Sequence, residues 1–233
     1  MQNKLIETFN SAGINLSPTQ VKQFVNYYDF LIDYNQKVNL TAITEPTEVI
    51  IKHFLDSVLP YQFITKSSKL IDIGTGAGFP LIPLKILRPD INIVLVDSLN
   101  KRIVFLKELV LLLGLEGVEC IHSRAEDLAM RLEFREKFDY CVARAVARLN
   151  TLLELTLPFV KEGGYLLSYK SDYLSEVEDS KKALSILGGT LENIISYNLP
   201  NDMGVRNILQ IKKVHKTPSK YPRSSNKPKN NPL

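Results

Sequence analysis

Residues 69–79 read KLIDIGTGAGF, an apolar run that ends in an acid and breaks at once into glycines at alternate positions. Lys69 to Ile73 have the length and branching of a buried strand. Gly74, Gly76 and Gly78 permit a tight turn, let backbone N–H groups approach a ligand, and allow a helix to pack closely on the strand. A dinucleotide fingerprint needs its third glycine at the sixth position of the motif, where this chain has Phe79. The next apolar run, Ile91 to Val96, ends in Asp97, at about the ~20-residue distance where an acid can accept bonds from a ribose diol. Glycine turns and strand-end acids are each common alone. In this order and spacing they point to a nucleoside cofactor at the carboxyl edge of a sheet.

Outward from this stretch, the pattern alternates. After the glycine loop come a helix through Ile82 to Arg88, strand Ile91 to Val96, helix Lys101 to Leu113 and strand Val118 to Ile121. Strand Phe138 to Ala143, helix Arg148 to Val160, strand Gly164 to Tyr169 and helix Tyr173 to Leu187 follow. Strands Leu191 to Tyr197 and Asn207 to Lys212 are close enough to form a hairpin. Such alternation predicts an α/β fold with a mostly parallel sheet, helices on both faces and right-handed crossovers. Residues 1–65 carry helical periodicity instead, with helices near Asn3 to Ala12, Thr19 to about Gln36 and Glu45 to about Phe63, entered at Ser17-Pro18 and Thr44 to Pro46. Tyr27, Tyr28, Phe30 and Tyr34 on the second of these read as core packing. The division is a helical cap (1–65), a cofactor-binding domain (66–214) and a tail (215–233).

Composition narrows the function classes. A chain of 233 residues that is 45% hydrophobic can bury a full α/β core. Cys120 and Cys141 lie in apolar runs, and the N-terminus is amphipathic without an apolar signal core, so the expectation is a cytoplasmic protein with reduced thiols and no membrane partner. No CxxC or HExxH occurs and the three histidines are far apart, so no metal is expected. The net charge of +4 is located in the tail, where Lys216, Lys220, Arg223, Lys227 and Lys229 face no acid. Setting those five aside leaves 24 basic residues against 25 acidic. Four prolines among serines and asparagines there predict a flexible, extended arm that orders on a phosphate backbone.

The glycine loop behind Asp72 resembles the first motif of class I S-adenosylmethionine-dependent methyltransferases. Further blocks carry a closer likeness: Asn39-Leu40-Thr41, His53-Phe54-Leu55-Asp56-Ser57, DIGTGAGFPLIPL from Asp72, DSLNKR from Asp97, SRAEDL from Ser123, ARAVA from Ala143 and TPSKYPR from Thr217. Taken in order and over essentially the whole chain, the sequence resembles the bacterial small-subunit rRNA guanine-N7 methyltransferases, the RsmG or GidB family. The resemblance implies methyl transfer from S-adenosylmethionine to N7 of guanosine 527 in the 530 loop of 16S rRNA, with rRNA or the small ribosomal subunit as partner; a monomer is expected, although the sequence itself is silent on oligomeric state. It further implies that Gly74 and Phe79 line the cofactor, that Asp97 and Ser98 meet its ribose, that Ala125 and Glu126 border the adenine, and that Arg144 lies beside the cofactor and the reacting centre. His53, Asn39, Lys220 and Arg223 are its substrate candidates. Members often read Glu-Arg-His before the last strand, where this chain has Val205-Arg206-Asn207.

Bland roles stand beside these. Glu126 is also a favourable first-turn acid, and His53 and Asp56 share a helix with Ile50, Ile51, Phe54, Leu55 and Val58, which suits a packing histidine. No catalytic residue is assigned, because guanine N7 carries its own lone pair. A pyrimidine C5 methyltransferase needs a cysteine nucleophile, and Cys141 sits mid-strand without a preceding proline. An exocyclic-amine enzyme needs Asn or Asp, two prolines and an aromatic after the fourth strand, where this chain reads Arg144-Ala145-Val146-Ala147. The alternatives are a small-molecule methyltransferase and a non-catalytic nucleotide-binding assembly module.

Overall fold

The structure, a computed structural model, describes residues 1–233. Helices α1 (Gln2–Ser11) and α2 (Pro18–Asn35) open the chain. At the start of α2 the Ser17 hydroxyl accepts the Gln20 N–H at 3.3 Å, while the Gln20 side chain accepts the Ser17 N–H at 2.9 Å. This reciprocal cap satisfies two donors that a helix N-terminus leaves free. The third expected helix is one run of changing pitch: α3 (Pro46–Glu48), a π-helical segment Val49–Leu55, α4 (Asp56–Val58) and a 3₁₀ turn Leu59–Phe63. π-helical turns are rare and concentrate at functional sites. This one carries Lys52 and His53.

The sheet contains β1 (Lys69–Ile73), β2 (Asn92–Asp97), β3 (Val118–His122), β4 (Phe138–Arg144), β5 (Val160–Lys170), β6 (Gly189–Asn198) and β7 (Val205–Lys213), in the order β3-β2-β1-β4-β5-β7-β6. The first five strands are parallel, and β7 runs antiparallel between β5 and β6. The expected hairpin therefore forms, with its second strand inserted next to β5. Helices α5 (Leu81–Leu87), α6 (Asn100–Leu113), α7 (Ala125–Leu128), α8 (Leu149–Thr156), α9 (Leu174–Asp179), α10 (Lys181–Leu187) and α11 (Lys227–Asn230) complete the fold. The single helix expected from Tyr173 to Leu187 is broken at Ser180, whose hydroxyl donates back to the Glu176 carbonyl at 2.6 Å.

Strand alternation sorts the core. Leu70, Leu95, Val142 and Leu167 face the helical cap, while Ile71, Val94, Cys141 and Leu166 face the opposite layer. Phe9, Phe24 and Phe54 follow one another at ring separations of 5.2 and 5.0 Å and bind the helices of the cap to one another. Tyr27 is fully buried, stacks on Phe79 at 5.3 Å, and donates its hydroxyl to the Ala77 carbonyl at 2.5 Å. The cap thus fastens the glycine loop from outside. Phe30 and Tyr34 pack on Phe105 of α6, as their apolar setting predicts.

The tail corrects the expectation of a flexible, extended arm. Thr217, Tyr221, Pro222 and Pro228 are buried. One guanidinium, that of Arg135, donates to the carbonyls of Thr217 (2.9 Å), Pro218 (3.2 Å) and Tyr221 (2.9 Å). Such bonds give the proline-rich backbone the partners that regular structure would otherwise supply. Arg223 grips the fully buried Glu154 of α8 through Nη2 at 2.7 Å and Nε at 2.9 Å, so its charge is spent inside the fold.

Candidate functional site

The strand order reverses between β1 and β4, which opens a crevice at the carboxyl ends of the strands. Two cavities there concern the site, and a third, about 530 Å³, adjoins the first beside α8 and the tail. The first, about 300 Å³, is lined by Gly74 after β1, Asp97 and Ser98 after β2, Ala125 and Glu126 after β3, and Val146 after β4. The second, about 580 Å³, lies between the π-helical turn and the ends of β4, β5 and β7, and is lined by Lys52, His53, Asp56, Arg144, Tyr169 and Arg206 among others. The Arg144–Val146 loop is the wall between them. Ala145 in it has φ 57°, a left-handed conformation that turns Arg144 and Val146 to opposite sides.

At the first cavity, Gly74 adopts φ 73°, and a Cβ placed on it would lie 3.0 Å from Val146 Cγ2. Glycine is required here by both backbone and space. Gly76 (φ 61°) faces open space, whereas a Cβ on Gly78 would meet Ile82 at 2.7 Å, so the third glycine serves helix packing. Asp97 locks the loop: it accepts from the Gly76 N–H at 3.0 Å, the Leu99 N–H at 2.9 Å and Arg102 at 3.1 Å. Beneath the loop Asp72 is fully buried, and burial pushes its carboxyl up to about 8 against the opposing pull of Thr75 and Arg144.

The second cavity is organised around Arg144. Its Nη1 donates to the Asp56 carboxylate at 3.1 Å and to the Lys52 carbonyl at 3.2 Å, and its Nη2 donates to His53 Nδ1 at 3.2 Å. Because guanidinium only donates, Nδ1 accepts, the proton sits on Nε2, and Nε2–H donates to Thr41 Oγ1 at 2.8 Å. Thr41 is held in turn by Asn35, which accepts its N–H at 3.0 Å and donates to its carbonyl at 3.0 Å. Burial and the Arg144 charge push His53 down to about 3. The imidazole is neutral and its face stacks on Phe79 at 4.4 Å. Arg206 supplies a second cation to Asp56 at 3.5 Å, and burial still raises that carboxyl above its ordinary value.

The structure thus brings Gly74, Asp97, Ser98, Ala125 and Glu126 around one cavity and Arg144 with His53 around the other. Phe79 stands apart from the first cavity: it is buried as the platform on which His53 stacks, with the Arg144 guanidinium 5.2 Å from its ring centre. Asn39 is exposed on the loop clamped by Asn35, Lys220 is exposed on the tail, and Arg223 is engaged internally. Sequence reasoning missed Val146, Tyr169, Lys170 and Asn226. The first lay in the quoted ARAVA block, and the other three carried no local signal.

No group of three or more His, Cys, Asp or Glu side chains gathers at a metal-binding distance, and no helix is long and apolar enough to cross a membrane.

The fold is shared with solved methyltransferases. TYW2 of M. jannaschii in complex with AdoMet superposes with a TM-score of 0.55 at 18% identity, covering 69% of this chain and 76% of that one. A SAM-dependent methyltransferase from Aquifex aeolicus gives 0.54 at 17% identity, over 78% and 98% of the two chains. Sequence relatives are much nearer. The ribosomal RNA small subunit methyltransferase G of Acetivibrio thermocellus is 49% identical over 100% of this chain and 97% of its own, and that of Lachnoclostridium phytofermentans is 51% identical over 98% and 96%. The sequence model of GidB, rRNA small subunit methyltransferase G, matches residues 20–205. With its nearly full-length likeness and its class I architecture, the chain belongs to the rRNA small subunit methyltransferase G family.

Proposed function

We propose that this protein transfers the methyl group of S-adenosylmethionine to N7 of guanosine 527 in the 530 loop of 16S rRNA, and acts in the cytoplasm on rRNA or the small subunit. The observation that carries this reading is a site built to hold and align, with no histidine free to act as a base and no cysteine free to act as a nucleophile. His53 stays neutral and committed at both nitrogens, and Cys141 is fully buried with its thiol pushed well up by burial. Guanine N7 needs neither a base nor a nucleophile, so alignment is the main task left to the protein.

The first cavity suits the cofactor. A glycine whose Cβ would fill the cavity edge and an acid locked at the end of β2 fit a nucleoside. Gly74, Asp97, Ser98, Ala125 and Glu126 would hold it, and Phe79 would act through His53 and Arg144. When bound, S-adenosylmethionine supplies an electrophilic methyl on a sulfonium sulfur. Across the Arg144–Val146 wall, the second cavity would take the guanine, with Arg144 held at fixed position by Asp56, Lys52 and His53. Lys52 and Arg206 at that cavity would supply cations for the flanking phosphates, while Lys170 is paired with Glu176 at 2.6 Å. The names of the relatives support the rRNA substrate.

The test is incubation of the pure protein with methyl-labelled S-adenosylmethionine and 16S rRNA or 30S subunits that lack the modification, followed by nucleoside digestion and mass spectrometry. Labelled 7-methylguanosine is the expected product. Label in any other nucleoside, or none in either acceptor, overturns the reading.

A further inference from the structure

Among the last eleven residues, Asn226 closes one side of the first cavity, while Pro228, Lys229 and Pro232 line the cavity adjoining it. The Asn226 side-chain oxygen accepts from Nη2 of Arg124, which also donates to Glu126 at 2.9 Å. Glu126 is buried and lines the first cavity. The segment that brings Asn226 there is pinned at three further points. Arg223 holds Glu154, and its Nη2 also donates to the Asn231 carbonyl at 2.9 Å, which closes the segment on itself. Thr151 of α8 donates to the Pro228 carbonyl at 3.1 Å, and Pro228 is buried. Ser225 and Asn226 both adopt φ 59°, the left-handed turn that swings the chain back toward Arg124.

We propose that residues 223–231 form a clasp belonging to the cofactor site, in which Asn226 positions Arg124 and Glu126 so that cofactor affinity and tail docking are linked. The proposal rests on the S-adenosylmethionine reading given above. A tail that completes the wall of a ligand cavity is stabilised by the ligand, and by reciprocity the docked tail strengthens ligand binding by the same factor. The basic tail then acts through the cavity it closes, and its lysines project from a docked segment.

Calorimetry with S-adenosylmethionine on the full chain, on Asn226→Gly and on a deletion of residues 224–233 tests this. Glycine adopts φ 59° freely, so Asn226→Gly removes only the side-chain amide. The expected result is binding weakened about tenfold in Asn226→Gly and at least as much in the deletion, within the usual range of coupling, with the melting temperature of Asn226→Gly unchanged. In the full chain S-adenosylmethionine should slow tryptic cleavage after Lys229. Affinity within twofold of the full chain in Asn226→Gly, or cleavage unaffected by the cofactor, overturns the clasp. A full chain that binds no S-adenosylmethionine overturns the cofactor reading itself, and the clasp with it.

Discussion

Arg144 at the end of β4 and His53 in the π-helical turn are joined by a hydrogen bond of 3.2 Å, from the guanidinium Nη2 to the imidazole Nδ1. This bond fixes the tautomer of the histidine, and through Thr41 and Asn35 it ties the end of the sheet to the helical cap. The histidine is a positioning residue for the arginine.

Arg144→Lys keeps the charge and loses the fork that reaches Asp56, Lys52 and His53 together. It should lower kcat by about a hundredfold, the scale expected when a group is displaced by about an ångström. KM for S-adenosylmethionine should change little, since Arg144 lies on the far side of the wall. Steady-state kinetics read the split, and wild-type turnover would remove Arg144 from the reacting centre.

Asp72 and His53 should leave opposite marks on stability. The folded state keeps the Asp72 proton up to about pH 8, whereas an unfolded aspartate releases it near its ordinary value of 3.8. Stability therefore falls as pH rises through that window, and Asp72→Asn should gain on the wild type by roughly 1 kcal/mol per pH unit between 5 and 7. His53 is pushed down to about 3 from 6.5, so its contribution is present above 6.5 and lost as pH falls toward 3. His53→Gln should close its deficit against the wild type on acidification from pH 6.5 to 4.5. Urea midpoints across pH measure both differences; gaps independent of pH would contradict the burial argument.

Gly74→Ala places a methyl 3.0 Å from Val146 and forces alanine to φ 73°. The variant should fold with a loss of about 1–2 kcal/mol and bind S-adenosylmethionine at least tenfold more weakly. Unchanged affinity by calorimetry would sink the loop assignment.

Arg223→Ala leaves the carboxylate of Glu154 buried without its guanidinium partner. Breaking such a pair costs about 3 kcal/mol, so the urea midpoint should drop sharply. An RNA-contacting arginine would instead leave stability intact and weaken rRNA binding.

The parallel part of the sheet was legible because each of its five strands is an apolar run followed by a helix, and because Asp72, the glycines and Asp97 mark the carboxyl edge. The insertion of β7 between β5 and β6 was hidden: a hairpin signal pairs two strands and does not say which of them joins the sheet. The packing of Phe79 was hidden for a related reason. Its position in the glycine loop suggests the cofactor, and only the fold shows His53 and Tyr27 stacked on it. The tail misled through composition. Its basic, proline-rich residues read as disordered, while its order comes from Arg135, some eighty residues away in sequence, bonding to main-chain carbonyls that no local pattern reveals.

The most direct test maps the methyl group on the RNA. 30S subunits lacking the modification are incubated with the protein and S-adenosylmethionine, and the extracted 16S rRNA is reduced with borohydride and cleaved with aniline, which breaks the chain at 7-methylguanosine. A single new break at guanosine 527 is expected, one that requires both protein and cofactor and is lost in Gly74→Ala. A break elsewhere, or methyl incorporation with no aniline-sensitive site, would contradict the proposed function.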